Sequence, residues 1–259
     1  MSAQTLTIVL PGDDVTAKIL QKSKQAPKLG TGLRHTDDDK VFATCAGRLE
    51  QRSNTYYIKQ NIHRYRPHVE DRVIGIVEDR VATDSEGGDV YRVNIGGPHP
   101  GMLSNISFEG ATKRNKPQFA QGTLLYCRVM TSSLTMDPTL SCQLGPHDAG
   151  VPRKDWMTNE GAYGELQGGT CRKIPLGLAR ELLNANNLVL RELAKQGLKF
   201  EVAVGVNGYV WVHSTRSEYT ILIHNAISNS QVLTEAQVRA MAKSLVETVH
   251  QQMQDQDED

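Results

Sequence analysis

The stretch Ser107-Phe108-Glu109-Gly110-Ala111-Thr112-Lys113-Arg114-Asn115-Lys116-Pro117 puts three cations within four positions, behind an aromatic residue and a glycine. Side chains of that type hold phosphate oxygens, and a cationic loop on a rigid β scaffold is a common device for tracking a nucleic-acid backbone. The same residues also suit a solvated turn, and three charges alone do not separate the two readings. Glu109, a single carboxylate beside them, is expected to make local ion pairs rather than hold a metal. The rest of the chain has no Gly-rich phosphate loop, no metal-ligand spacing and no carboxylates paired outside turns. Cys142 and His147 make a nucleophile and base only on paper, at a strand end beside Gly145-Pro146. His63 and His68 lack an accompanying cysteine pair and read as surface residues, and Asp37-Asp38-Asp39 reads as a hairpin turn. The expectation is therefore a protein without catalytic residues, cofactor or metal.

Composition limits what such a loop can do. The 259 residues are enough for two or three small domains, and 29 Lys and Arg balance 29 Asp and Glu, so the formal net charge is zero. A free-standing, tight nucleic-acid binder carries a positive excess, because phosphate neutralisation supplies most of its affinity. A nucleic-acid role must then be local or shared with partners. Cys45, Cys127, Cys142 and Cys171 have neither C-x-x-C spacing nor the density of a disulfide scaffold, which suits reduced thiols in the cytosol or nucleus. The apolar run Leu6 to Leu10 has no basic region before it, and no run approaches the ~18 apolar residues of a membrane span.

Positioning the cationic loop falls to a run of short strands. Val73 to Val77 is continuously apolar, Tyr91 to Ile95 alternates, and Met102 to Ser107, Leu124 to Met130 and Thr139 to Leu144 follow, with Glu86-Gly87-Gly88-Asp89 as a hairpin. Five strands, with the loop between the third and fourth, suit an OB-fold barrel of the S1 class. In front of it, Val41 to Ala46 and Thr55 to Lys59 predict a small β unit with more Tyr and Ile than its size could bury. The spaced cations Lys18, Lys22, Lys24, Lys28 and Arg34 predict a flexible or partner-bound extension.

After a Pro- and Gly-rich passage from Pro146 to Gly169 the periodicity changes. Cys171 to Ile174 predicts a strand; Pro175 opens a helix through Leu178, Ala179 and Leu182; Asn184-Ala185-Asn186-Asn187 breaks it; and a second helix runs from Leu188 to Gln196. Phe200 to Val204 and Tyr209 to Val212 pair across Gly205-Val206-Asn207-Gly208, where Asn-Gly is the strongest short hairpin signal. Helices from about Ser217 and from Thr234, the latter with a capping box, finish the unit. Strand, two helices, two strands and a helix is the order of a KH domain.

The predicted organisation is mainly β plus α+β: an N-terminal arm and small β domain over 1–68, an OB-fold (S1) barrel over 69–147, a KH-like domain over 148–252 and an acidic tail over 253–259. A KH domain grips phosphate through a Gly-x-x-Gly loop between its first two helices. Asn184 to Asn187 there has no glycine and no cation, while Gly205, Asn207 and Gly208 sit between strands, so that turn is expected to be structural. Trp211, flanked by valines three residues beyond it, is expected in the core, packing the KH unit on the barrel.

On Ser107 to Asn115, Gly205 to Val212, Val73 to Val77, Leu176-Gly177-Leu178 and Thr220 to Ile227, the chain resembles the S1/KH cap subunits of the eukaryotic RNA exosome, over about 30–249. The resemblance implies a non-catalytic subunit that sits on a ring of RNase-PH-like subunits with other cap subunits, in a hetero-oligomer. Associated exoribonucleases would do the cutting, with no membrane and no cofactor involved. It also implies a site in the nucleus, including the nucleolus, and the cytoplasm. Lys113, Arg114 and Lys116 would then guide single-stranded RNA without reading bases, with Phe108 and Gly110 shaping the loop. An independent S1/KH protein, for instance in translation, would need a basic chain and an intact grip loop; a nuclease with an appended S1/KH module would need a further domain.

Overall fold

In the computed structural model, residues 4–20, 27–59, 64–83, 89–133, 135–158, 160–184 and 186–257 are described. Glu86, Gly87 and Gly88 of the expected hairpin turn, His63, Lys22 and Lys24, Ala185, and the last two acidic residues lie outside them. The chain divides into two compact units, 1–62 and 63–259.

The first unit contains β1 (Gln4–Val9), α1 (Thr16–Leu20), β2 (Lys28–Leu29), β3 (Leu33–His35), β4 (Val41–Ala43), β5 (Gly47–Arg52) and β6 (Thr55–Lys59). One sheet runs β1-β5-β6-β2 and a second pairs β3 with β4, joined by the expected Asp37 to Asp39 turn, with Asp39 at φ 56°. The N-terminal stretch corrects an expectation: its described part is built into the domain, not an extension. Val15, just before the short helix, accepts the Ile19 N–H at 3.1 Å and shares a face with it, and with Val9 both are fully buried against Leu49, Tyr56 and Ile58. The apolar residues outweigh the spaced cations that suggested an arm. Of the Tyr and Ile of this unit, Tyr56 and Ile58 form its core and Tyr57 is half-buried, whereas Ile8, with Leu10, is exposed.

The second unit begins with the barrel. β7 (Arg72–Thr83), β8 (Asp89–Asn94), β9 (Gly101–Phe108), β10 (Leu124–Thr131) and β11 (Thr139–Cys142) run β11-β9-β8-β7-β10, and antiparallel β10–β11 pairing closes the sheet. β9 and β11 are parallel. Alternation puts Tyr91, Val93 and Leu103 inside with Val73, Leu125 and Val129, which makes it the closed five-stranded S1 barrel. Beyond a single 3-10 turn at Trp156–Thr158, β12 (Gly164–Glu165) adds to the start of β10.

The KH part follows as β13 (Thr170–Lys173), α2 (Leu176–Leu182), α3 (Leu188–Lys195), β14 (Phe200–Val204), β15 (Tyr209–Ser214), α4 (Ser217–Asn229) and α5 (Glu235–Asp257). The sheet order is β13-β15-β14, with the helices packed through Leu178, Leu182, Leu193, Ile223, Ile227 and Ala242. Pro175 caps the start of α2, and the Asn187 side chain accepts the Leu190 N–H at 3.2 Å to open α3. One arm of the capping box at Thr234 forms, with Gln237 Oε1 accepting the Thr234 backbone N–H and its hydroxyl, each at 2.9 Å.

The turn between β14 and β15 joins the two halves of this unit. Asn207 is 1% exposed; its Nδ2 donates to the carbonyls of Ile74 at 2.7 Å and Ile95 at 2.9 Å, and its Oδ1 accepts the Ile74 N–H at 3.3 Å. Val206 N–H donates to the Arg72 carbonyl at 2.8 Å. A Cβ on Gly205 would lie 2.2 Å from Asn207 Oδ1, and Gly208 holds φ 82° with 2.7 Å to the Ile174 carbonyl, so both positions need glycine. Trp211, 5% exposed, donates its indole N–H to the Gly168 carbonyl at 2.8 Å and stacks on His213.

Removing the Asn207 amide strands buried backbone groups of Ile74, so Asn207→Ala is expected to cost about 3 kcal/mol in chemical denaturation. Trp211→Ala is expected to cost about 3 to 5 kcal/mol on the same measurement. A loss below about 1 kcal/mol in either would remove that side chain from the structural role given to it.

Candidate nucleic-acid interface

The cationic loop leaves β9 at Phe108 and returns to β10 at Leu124. Thr112 and Asn115 close a tight turn: Thr112 N–H donates to the Asn115 carbonyl at 2.8 Å, and Asn115 N–H to Thr112 Oγ1 at 3.1 Å. Lys113 and Arg114 occupy the tip of that turn and are exposed. Lys116 is placed differently. It is half-buried, with its Nζ 3.9 Å from Asp89, whose carboxylate also faces Arg80 at 3.4 Å. Asp89 is held by the fully buried Asn105, which also donates to the Pro117 carbonyl at 3.0 Å. The structure thus splits the three cations into two at the tip and one that ties the loop to the barrel.

Glu109 corrects a second expectation. Among the described residues it makes no ion pair with the neighbouring cations; its Oε1 accepts the Leu144 N–H at 2.9 Å and its carbonyl accepts the Trp156 N–H at 3.1 Å. The side chain finishes the end of β11, where a backbone donor would otherwise be unpaired. Phe108 is buried, and Gly110 holds φ 76° where a Cβ would come within 2.5 Å of the Asp155 carboxylate. Both therefore shape the loop from below.

The passage 148–166, placed with the KH-like domain by the sequence, is pinned to the barrel. Asp148, 7% exposed, accepts from Arg72 at 2.6 Å, Tyr163 at 3.0 Å and the Gly145 N–H at 2.9 Å. Burial pushes its carboxyl upward, but the Gly145 N–H, the Tyr163 hydroxyl and the Arg72 guanidinium outweigh that and hold it below the usual carboxylate range. Sequence reasoning passes over Asp148, Trp156 and Tyr163; two aromatic residues in a polar, Pro- and Gly-rich passage are the available signal.

Where a KH grip loop would stand, the turn between α2 and α3 presents Asn184 and Asn187, and α3 continues with Arg191. These line a 540 Å³ cleft whose other wall is β14. The supposed dyad does not form a nucleophile: Cys142 is buried, and burial together with the adjacent Cys127 thiol pushes its thiol well up, against the direction that activates cysteine. Among the described residues no group of three or more His, Cys, Asp or Glu could hold a metal ion.

A closed S1 barrel with a cationic loop tip, coupled through a buried turn to a KH fold, defines an S1/KH protein of the RNA-binding class. A family model described as exosome complex component RRP40, S1 domain, matches residues 65–149, and a KH-domain model matches 169–218. Exosome complex component RRP40 of Drosophila melanogaster is 37% identical, covering 88% of this chain and 90% of its own. The Schizosaccharomyces pombe rrp40 component is 32% identical over 93% and 95%, and the Homo sapiens RRP40 component 30% over 85% and 76%. The chain belongs to the RRP40 family of exosome complex components. A solved structure described as a candidate exosome complex RNA-binding protein has a TM-score of 0.53 at 16% identity, over 73% of this chain and 99% of its own, which is a likeness of fold.

Because the folded Asp148 carboxyl is held below its unfolded value, its stabilisation is present above about pH 4 and lost as pH falls through the depressed value. The melting-temperature gap between the protein and Asp148→Asn is expected to be constant from about pH 7 to about pH 5 and to close below about pH 4. A gap independent of pH would contradict this account.

Proposed function

We propose that this chain is a non-catalytic RNA-binding subunit of the RNA exosome cap, stabilising the ring beneath it and guiding single-stranded RNA into the central channel for 3'-5' processing and degradation. The observation that carries the reading is the exposed pair Lys113 and Arg114 at the tip of a loop fixed to an S1 barrel, in a member of a family whose relatives are named exosome components. Its partners are then the RNase-PH-like ring subunits, the other cap subunits and the associated exoribonucleases, in the nucleus, including the nucleolus, and the cytoplasm. Within the cap, the sequence resemblance leans toward the subunit called exosome component three; the relatives carry the name RRP40, and the family assignment rests on theirs. Catalysis belongs to other subunits on this reading, consistent with a buried Cys142 and with a Glu109 side chain committed to the fold.

Two phosphate-facing cations contribute a small, sequence-independent share of affinity, so Lys113→Ala with Arg114→Ala should leave ring assembly intact. The salt dependence of single-stranded RNA binding by the assembly should fall in slope by about 1.4, at about 0.7 for each phosphate no longer neutralised. Degradation of long single-stranded RNA should slow accordingly. Lys116 is left out, since it serves the fold through Asp89. An unchanged slope with unchanged degradation would reduce the tip to a solvated turn.

A further inference from the structure

Beside the cationic tip lies a hollow of 130 Å³ lined by Phe108, Phe119, Trp156, Tyr163, Glu165 and Gln167. It holds on the order of four water volumes and is smaller than the roughly 300 Å³ of a drug-sized site, the scale of one planar heterocycle. Its rings are braced. Phe119 packs 5.3 Å from Phe108 and edge-on to Tyr91 at 5.4 Å, and Tyr163 stacks on Tyr126 at 5.6 Å. Trp156 is half-buried, and its indole N–H is shielded from solvent without an acceptor among the described residues. A buried donor left unpaired costs free energy, which an acceptor brought by a ligand recovers. Glu165 and Gln167, which also line it and are joined by a bond from Gln167 Nε2 to Glu165 Oε2 at 3.4 Å, carry acceptors for an amino group.

We infer that this hollow takes one base of the single-stranded RNA whose backbone the tip holds. The two features are physically joined: Asn115, in the turn that carries Lys113 and Arg114, donates to Met157 Sδ at 3.1 Å, and Met157 is another wall of the hollow. The base sits among the aromatic rings, the Trp156 indole N–H donates to its carbonyl or ring nitrogen, and the adjoining phosphates face the two cations. Aromatic walls accept any base, whereas the indole donor and the carboxylate favour bases that carry both an acceptor and an amino group. The inference rests on the RNA-guiding reading, but it adds a contact to bases that a purely electrostatic guide does not make.

The test uses the full chain and fluorescence anisotropy with an eight-nucleotide RNA and the same backbone carrying abasic residues at its centre. The intact RNA is expected to bind about fivefold more tightly, the low end for one base stacked on an aromatic side chain. Trp156→Phe, which keeps a ring and loses the donor, should bring the ratio toward one without changing the melting temperature. Lys113→Ala with Arg114→Ala should weaken both RNAs and preserve the ratio. As a readout that does not depend on variants, ultraviolet crosslinking of the intact RNA should attach a base to the peptide containing Trp156 or Phe119. Equal binding of intact and abasic RNA, with both weakened by the tip variant, overturns the base site and leaves the phosphate guide standing. A ratio unchanged in Trp156→Phe, or crosslinks only elsewhere, also overturns it. If the tip variant weakens neither RNA, it is the guiding reading that fails.

Discussion

The buried amide of Asn207 is the interaction on which the second unit depends. β8 ends at Asn94, and the last residue of β7 paired with it is Ile76, so the peptide of Ile74 faces a gap in the sheet. A backbone N–H and carbonyl left there without partners would cost several kcal/mol between them. The Asn207 carboxamide carries one acceptor and two donors, the hydrogen-bonding equipment of a peptide group, and it fills the place of the missing strand residue. A third bond, to the Ile95 carbonyl, ties the end of β8 to the same side chain. No other short side chain has this set, since Asp lacks the donors and Ser the reach.

Because the KH turn supplies a missing piece of the barrel, neither is complete alone. The segment 148–166 adds a second tether by a different chemistry. Asp148 gathers Arg72, Tyr163 and Gly145; β12 extends the sheet at β10; and Trp156 hydrogen-bonds to Glu109 at the base of the cationic loop. The loop is therefore backed on one side by the barrel, through Asp89 and Asn105, and on the other by this segment, through the close approach of Gly110 to Asp155. Two exposed cations on a braced loop lose less conformational entropy on meeting phosphate than the same residues on a free chain.

Legibility in the sequence follows the range of the interactions. The barrel strands can be read from local apolar alternation, and the KH order from the switch between periods of two and 3.6. The Asn207-Gly208 hairpin is equally plain, but not its target 133 residues away at Ile74. Lys116 reads like its neighbours in sequence; only the pairing of β8 with β9, which sets Asp89 beside Asn105, separates it from Lys113 and Arg114. Glu109 is misleading for the same reason, since its partner at Leu144 lies across the barrel. β1 escapes notice because the spaced cations beyond it mask the apolar positions Val9, Val15 and Ile19 that fix that stretch in place.

The split of the three cations also bears on how much one such loop can do. With Lys116 matched by Asp89, and Asp89 shared with Arg80, the charge facing outward at the tip is that of two side chains. Two contacts on a single strand change affinity only about sevenfold between roughly 50 and 200 mM salt, against the thousandfold or more of a protein that makes about six to ten. A contribution of that size captures RNA from solution only weakly, which agrees with a chain whose net charge is zero. It can bias the path of a strand already held elsewhere in an assembly, where the second contact is intramolecular and effective concentrations reach millimolar. Weak contacts that release readily are also what a moving substrate requires, because every phosphate that is held must be let go before the strand advances by one nucleotide.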